Sequence, residues 1–309
     1  MFGSFESSNF VLARYRRALG MRCELDPEQL ANNLQAIAVK HFQTYSFHSL
    51  YFNLHDKTSE PTCDMPLVLN RNALIHQLMD HGGGSCFHHN AVFQAILDAN
   101  HIENWLVSCL VHDPLHPENT FDFATHIAIV FKHQGVCYLF DPGWDGTSFS
   151  IFPVPQGDNP PCTHQQHQVR RTNHAEFPLT FEEMKPDGHC VPRYDFGLSP
   201  TAIEDYQDAI DYLNSPRYAF HTLFLFTQID EQRNIIRFVN RRLIIQTLQG
   251  EVLHNDELPE EESVLQKITE HLGPQTGMLA SLHTEDFKNP SLGVRVCESA
   301  ASTLTMSCL

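Results

Sequence analysis

Three residues from separate stretches of the chain have the types and settings needed for covalent chemistry. Cys86 follows Gly82-Gly83-Gly84-Ser85 and precedes Phe87. Three glycines let a backbone turn sharply and approach a ligand closely. The apolar periodicity that follows starts a helix at or just after Cys86, and the partial positive charge of a helix start favours the thiolate, the form in which cysteine attacks. The same pattern also fits a glycine that ends one helix, followed by a buried cysteine. His126 heads the apolar run Ile127-Ala128-Ile129-Val130, and Asp141 ends Tyr138-Leu139-Phe140 before Pro142-Gly143-Trp144. Taken singly, the histidine fits a hydrogen-bonded core residue and the aspartate a turn former. Taken together they predict more. A hairpin joining the two strands brings positions 126 and 141 beside each other, with the carboxylate accepting from one imidazole nitrogen and Cys86 facing the other. That is the arrangement of nucleophile, base and orienting group. The carboxylate sets the ring tautomer, and the charged ring in turn favours the thiolate.

The elements that must position these residues read as helices first and sheet afterwards. Residues 26–42 predict a helix, with Asp26 as cap, Pro27 in the first turn, Gln29 completing a capping box, and Leu30, Leu34, Ile37 and His41 at helical spacing. Residues 53–68 are polar and loop-like. A second helix over 70–80 carries Leu74, Leu78 and Met79 inward and stops at the glycines. A third, from Cys86, carries Phe87, Val92, Phe93, Ile96 and Leu97. After Asn100 the runs 105–111, 126–131 and 136–140 are strand-like, bounded by turn formers. Residues 155–200 are rich in Pro, His and polar groups and give no clear assignment. A short helix over 202–213 precedes strands at 221–228, 235–240 and 242–248. Pro259 opens a last helix with Val264, Leu265, Ile268 and Leu272 on one face, ended by Gly273-Pro274. The tail from 276 has weak periodicity. Helices and strands are segregated rather than alternating, which predicts an α+β class.

The triad segments resemble those of the arylamine N-acetyltransferases. That family runs Arg-Gly-Gly-x-Cys-Phe-Glu-x-Asn, then a strand headed by His, then an Asp after an apolar strand and before a glycine-aromatic turn. This chain has Gly83-Gly84-Ser85-Cys86-Phe87-His88-His89-Asn90, then His126, then Asp141-Pro142-Gly143-Trp144. Leu30, Leu34, His41 and Ser46-Phe47-His48-Ser49-Leu50 resemble the family's helix and its Pro-Phe-Glu-Asn-Leu turn, and 217–274 its C-terminal sheet and closing helix. The resemblance covers roughly residues 12–275. It implies a helical bundle (1–100), a β-barrel (101–213) and an α/β lid with the tail (214–309). It implies an enzyme that takes an acyl group from acetyl-CoA or another acyl-CoA onto Cys86 as a thioester and passes it to an arylamine or hydrazine. His126 assists the proton transfers, and the Cys86 backbone N–H helps to hold the oxyanion. By position, Phe47 and Trp144 line an aromatic acceptor pocket, though both also fit core packing. Several positions depart from the family: Gly82 stands for its Arg, His88 for its Glu, and Ser46, His48 and Ser49 for its Pro, Glu and Asn.

Composition narrows the alternatives. The chain has 309 residues, 42% apolar and 18% charged, with 37 acidic against 20 basic residues and a net charge of −17. Nucleic acid as the main partner is disfavoured, since phosphate backbones need clustered Lys and Arg. No apolar run reaches the roughly 18 residues of a membrane span, and the N-terminus lacks the order of a secretory signal. Nine cysteines with no framework spacing suit a reducing compartment, so a cytoplasmic enzyme is expected. Cys162, His164, His167, His189 and Cys190 are zinc-ligand types without ligand spacing, and no metal is expected. The pairs Arg170-Arg171 and Arg241-Arg242 read as solvated surface. The same Cys-His-Asp chemistry also serves papain-like proteases, transglutaminases and deamidases, and amide synthases of the resembled family. The altered neighbours of Cys86 leave open a binding protein without turnover.

Overall fold

The computed structural model describes residues 8–49, 67–112, 123–156, 162–164, 167–185, 187–213, 224–259 and 264–273. The expected loop over 53–68 lies mostly outside these residues. So do the tail from 276, the start of the strand expected at 221, and most of the first turn expected after Pro259.

Helix α1 (Ser8–Leu19) was not anticipated from the sequence. Its Val11, Leu12, Tyr15 and Leu19 are buried at helical spacing. Asp26 caps as expected, accepting from the Glu28 N–H at 2.9 Å, but the turn it caps is the 3₁₀ segment Pro27–Gln29. Helix α2 (Leu30–Thr44) starts behind it. Helix α3 (Arg71–His81) ends where Gly82 takes a left-handed φ of 74°, and α4 (Cys86–Ala99) begins four residues later. Helix α4 is buried nearly all round, through Phe87, Ala91, Val92, Phe93, Ile96 and Leu97, so it is the central post of the helical core.

Eight strands form one antiparallel sheet. They are β3 (Asn104–Val111), β4 (His126–His133), β5 (Val136–Phe140), β6 (Ile151–Pro153), β7 (Cys162–His164), β8 (His167–Arg171), β9 (Leu179–Met184) and β10 (Cys190–Phe196), in the order β6-β5-β4-β3-β10-β9-β8-β7. The end strands β6 and β7 meet, so the sheet is a nearly closed barrel. Side-chain alternation sorts each strand between two environments. Ala128, Val130 and Leu139 point into the barrel with Phe181, Tyr194 and Phe196. Ile127, Ile129, Phe131 and Phe140 point the other way, into the helical core.

Beyond the 3₁₀ turn Ile203–Tyr206 and helix α5 (Gln207–Leu213) comes a second sheet. It contains β11 (Leu225–Ile229), β12 (Asn234–Val239), β13 (Arg242–Thr247) and β14 (Val252–Glu257). Phe226, Ile236, Phe238 and Leu243 on one face pack with Val264 and Ile268 of helix α6 (Val264–Leu272). Leu225, Ile229 and Ile235 on the other face join the helical core. Two short strands from the N-terminal region extend this sheet: β1 (Ser46–His48) pairs antiparallel with β11, and β2 (Gly83–Gly84) pairs parallel with β1.

The β1–β2 pairing explains the glycines before the cysteine. They approach the protein's own backbone and rings closely, where the sequence suggested a ligand. A methyl group on Gly83 would fall against the Ser46 carbonyl and 2.5 Å from its Oγ, and one on Gly84 would lie 2.6 Å from the His88 ring. Gly83→Ala is therefore expected to destabilise the fold by about 3 kcal/mol, because rigid backbone must move to admit one carbon. Urea unfolding of the variant against the parent protein checks this.

Candidate active site

Each of the three candidate residues sits at the end of an element. Cys86 is the first residue of α4, with Ser85 as N-cap in extended conformation. His126 opens β4, and Asp141 follows the last residue of β5. The β4–β5 hairpin pairs Ile129 with Phe140, so the next step of the register sets Asp141 across from Ala128. His126 and Ala128 share a face, and both candidate side chains therefore stand on the barrel-interior side, at its mouth.

The histidine and the carboxylate meet directly. His126 Nε2 lies 2.7 Å from Asp141 Oδ2, and both residues are buried. The sulfur of the partly exposed Cys86 lies close enough to the ring to act on its charge. Burial alone would disfavour the charged imidazole. The Asp141 carboxylate and the Cys86 sulfur outweigh it and push the His126 pKa up to about 10. The ring thus holds its proton at neutral pH.

Asp141 is held in turn by Asn90, one helical turn beyond Cys86 on α4. The Asn90 amide nitrogen donates to Asp141 Oδ1 at 2.9 Å and to the Ile127 carbonyl at 2.7 Å, and its oxygen accepts from the Gly143 N–H at 3.1 Å. The amide orientation is thereby determined, and it ties α4 to β4 and to the loop after β5. Asn90 stands in the family pattern, yet only its i, i+4 relation to Cys86 hinted at a shared task. Asn90→Ala is expected to slow alkylation of Cys86 by iodoacetamide by up to about 100-fold, through loss of carboxylate placement. It should also cost about 2 kcal/mol for the stranded Ile127 and Gly143 groups. Alkylation rates and urea unfolding measure the two effects separately.

Tyr194 of β10 was not visible as a site residue. Its ring lies 5.3 Å from the His126 ring and 5.1 Å from that of Trp144. Burial, and then the neighbouring Asp141 charge, keep its phenol un-ionised far above the usual range. The two aromatic candidates part company. Trp144 stands edge-on to His126, with centroids 5.2 Å apart. Phe47 is buried on β1, stacked with the His89 ring at 5.8 Å and paired in register with Gly84, two residues before Cys86.

The His88 departure has a local explanation. At the third position of a helix a Glu reaches back to the N-cap N–H. His88 Nδ1 accepts that same N–H, from Ser85, at 3.1 Å. The reach-back contact is kept and the charge is lost.

Several of the remaining candidates have structural partners. Arg170 pairs with Glu182 at 2.6 Å, Arg241 binds the Leu258 and Pro259 carbonyls, and Arg242 binds Asn255 at 2.6 Å. His167 stacks on Phe181, and Cys190 accepts from the Gln168 amide at 3.0 Å. Among the described residues no three His, Cys, Asp or Glu side chains are grouped so that they could hold a metal ion. None of their helices is long and apolar enough to cross a membrane.

Known proteins can now be set beside this geometry. The family model described as N-acetyltransferase matches residues 31–274. No curated protein matches the chain. Among solved structures, the arylamine N-acetyltransferase of Mycobacterium tuberculosis superposes with a TM-score of 0.70 at 20% identity, over 92% of this chain and 99% of that one. The Mycobacterium marinum arylamine N-acetyltransferase in complex with CoA gives 0.70 at 16% identity, over 91% and 98%. The Mycobacterium abscessus arylamine N-acetyltransferase gives 0.68 at 22% identity, over 90% and 95%.

Proposed function

Because the chain belongs to the arylamine N-acetyltransferase family, we propose that it moves an acetyl group from acetyl-CoA to an arylamine or hydrazine through a thioester on Cys86. The observation that carries this reading is the 2.7 Å contact between His126 and Asp141, with the Cys86 sulfur near enough to act on the same ring.

In the first half-reaction the Cys86 sulfur attacks the thioester carbonyl of acetyl-CoA. The tetrahedral oxyanion is held by the Cys86 backbone N–H at the start of α4. The carbon–sulfur bond to CoA breaks, and the departing thiolate takes the proton that His126 holds. In the second half the amine nitrogen attacks the Cys86 thioester, the now neutral ring takes the amine proton, and the cysteine sulfur leaves. The protonated ring and thiolate are thereby restored. Asp141 stabilises the charged ring in both halves. Trp144, edge-on to the His126 ring, lines the acceptor side, where a flat apolar ring favours an aromatic amine, and Phe47 packs against the His89 ring. The CoA complex of the Mycobacterium marinum protein supports an acyl-CoA donor here. The free thiols of Cys23, Cys86, Cys109, Cys137 and Cys190 support a reducing, cytoplasmic setting.

Two-substrate initial rates test the reading. A shared acyl-enzyme predicts parallel double-reciprocal lines and CoA/acetyl-CoA exchange without amine. Intersecting lines with no exchange, or hydrolysis of a protein amide in place of transfer, would overturn it.

A further inference from the structure

Behind the nucleophile segment lie four buried imidazoles, those of His41, His48, His88 and His89. The transfer reading gives none of them a task. Two of them hold opposite ends of one peptide group. His89 Nε2 lies 3.0 Å from the Gly84 carbonyl oxygen, and His88 Nδ1 accepts from the Ser85 N–H at 3.1 Å. Those two groups are the C=O and N–H of the single peptide between Gly84 and Ser85, one residue before Cys86.

The sense of the His89 contact is set from a distance. The Gly84 carbonyl can only accept, so His89 Nε2 carries the hydrogen and its Nδ1 is bare. That bare nitrogen lies 2.6 Å from His41 Nε2, which must therefore donate. His41 Nδ1 is then bare in turn and accepts from the Tyr15 hydroxyl at 2.7 Å. The chain runs Tyr15, His41, His89, Gly84, and reaches from α1 through α2 and α4 to the backbone of β2. It exists only with neutral rings, and burial holds His41 and His89 neutral, the latter at about 3. A bare Gly84 Cα is what lets the His88 ring lie so close.

We propose that His88 and His89 are positioning residues for the Cys86 nucleophile, fixing the Gly84–Ser85 peptide from both ends, and that Tyr15 and His41 act by setting which nitrogen His89 presents. The inference rests on the reading of Cys86 as nucleophile. It gives a function to His88, which stands where the family pattern carries Glu.

The test is the rate at which iodoacetamide alkylates Cys86 in the full chain, followed by peptide mass, with thermal midpoints alongside. This readout needs no acetyl transfer. Tyr15→Phe removes the donor that orders the chain, so His89 can also present a bare nitrogen to the Gly84 carbonyl. Alkylation should slow about five-fold, the scale of a sub-ångström misplacement. His89→Gln offers an amide donor whose sense does not depend on His41, and should alkylate within about three-fold of the parent protein. In the His89→Gln background, Tyr15→Phe should then cost nothing further. A merely structural tyrosine would slow both backgrounds by the same factor, and that result overturns the proposal. So does an unchanged rate in Tyr15→Phe alone. If the parent protein's Cys86 alkylates no faster than an ordinary thiol, the nucleophile reading itself fails, which is a distinct outcome.

Discussion

Replacing Asp141 by Asn should lower acylation of Cys86 by about four orders of magnitude while leaving the fold in place. The carboxylate has two acceptor oxygens in use, Oδ2 toward His126 and Oδ1 toward the Asn90 amide nitrogen. An asparagine at 141 has one acceptor. Asn90 cannot turn to compensate, because its own oxygen is held by Gly143 and its nitrogen also serves Ile127. The new amide group must then point its NH₂ either at the Asn90 NH₂, a donor against a donor, or at His126. The second choice strips the hydrogen from Nε2 and places the wrong tautomer opposite the sulfur. The charge goes as well. Without the carboxylate, burial dominates the ring and its pKa falls from about 10 toward the neutral side of physiological pH. Single-turnover acylation should show the rate loss. Alkylation of Cys86 by iodoacetamide should slow as well. An Asp141→Asn protein acylated at the parental rate would remove the carboxylate from the account.

The second large effect is on stability. The thermal midpoint should fall steeply as pH drops from 7 to 5, with acid unfolding complete near the lower end. Four buried rings, those of His41, His48, His88 and His89, and the half-buried His167 have pKa values lowered first of all by desolvation, to about 3 for His48 and His89 and about 4 for His167. Below the unfolded value of about 6.5 the unfolded chain binds protons that the folded chain refuses, so stability falls with pH until the folded values are reached. The loss has the same sign for all five rings, so the fold weakens steadily toward acid across that window.

His126 acts oppositely. Its raised value gives stability that is full below about 6.5 and is lost as pH climbs toward 10. Glu183, lowered to about 2 because Arg193 and Lys185 outweigh its burial, contributes stability that is lost only as pH falls below about 4.5. The maximum should therefore lie near pH 7. Circular dichroism melts across pH 5 to 9 check this, and a midpoint that stays level from 7.5 down to 5 would contradict it.

The parts of the molecule that could be read from the sequence were those whose own residues carry the signal. Helix α4 shows its apolar positions at helical spacing, and β3, β4 and β5 are long apolar runs between turn formers. The catalytic candidates were legible for the same reason, since each terminates one of these elements. Strands β7 to β10 were not. Their buried positions include Gln168, Thr180, Glu182 and Asp195, polar groups satisfied by one another across the sheet, so the expected alternation is blurred. Tyr194 was lost with them. Strand β14, Val252-Leu253-His254-Asn255-Asp256-Glu257, is a polar edge strand and reads as loop. β1 and β2 are too short to carry a period and exist through pairing with β11 and with each other. Helix α1 had a readable stripe in Val11, Leu12, Tyr15 and Leu19, masked by Arg14, Arg16 and Arg17 between them. The departures at 48 and 88 read in sequence as lost charge. Only the contact between His88 and the Ser85 N–H shows that one of them preserves a hydrogen bond in neutral form.

Mixing the protein with acetyl-CoA, without amine, and recording intact mass beside a Cys86→Ala variant tests the transferase reading most directly. One acetyl group should appear on the parent protein, map to Cys86, and leave when a hydrazine is added, while the variant stays unmodified. A parent protein that gains no acetyl group, or gains it equally in the variant, would contradict the assignment of Cys86 as the acyl carrier.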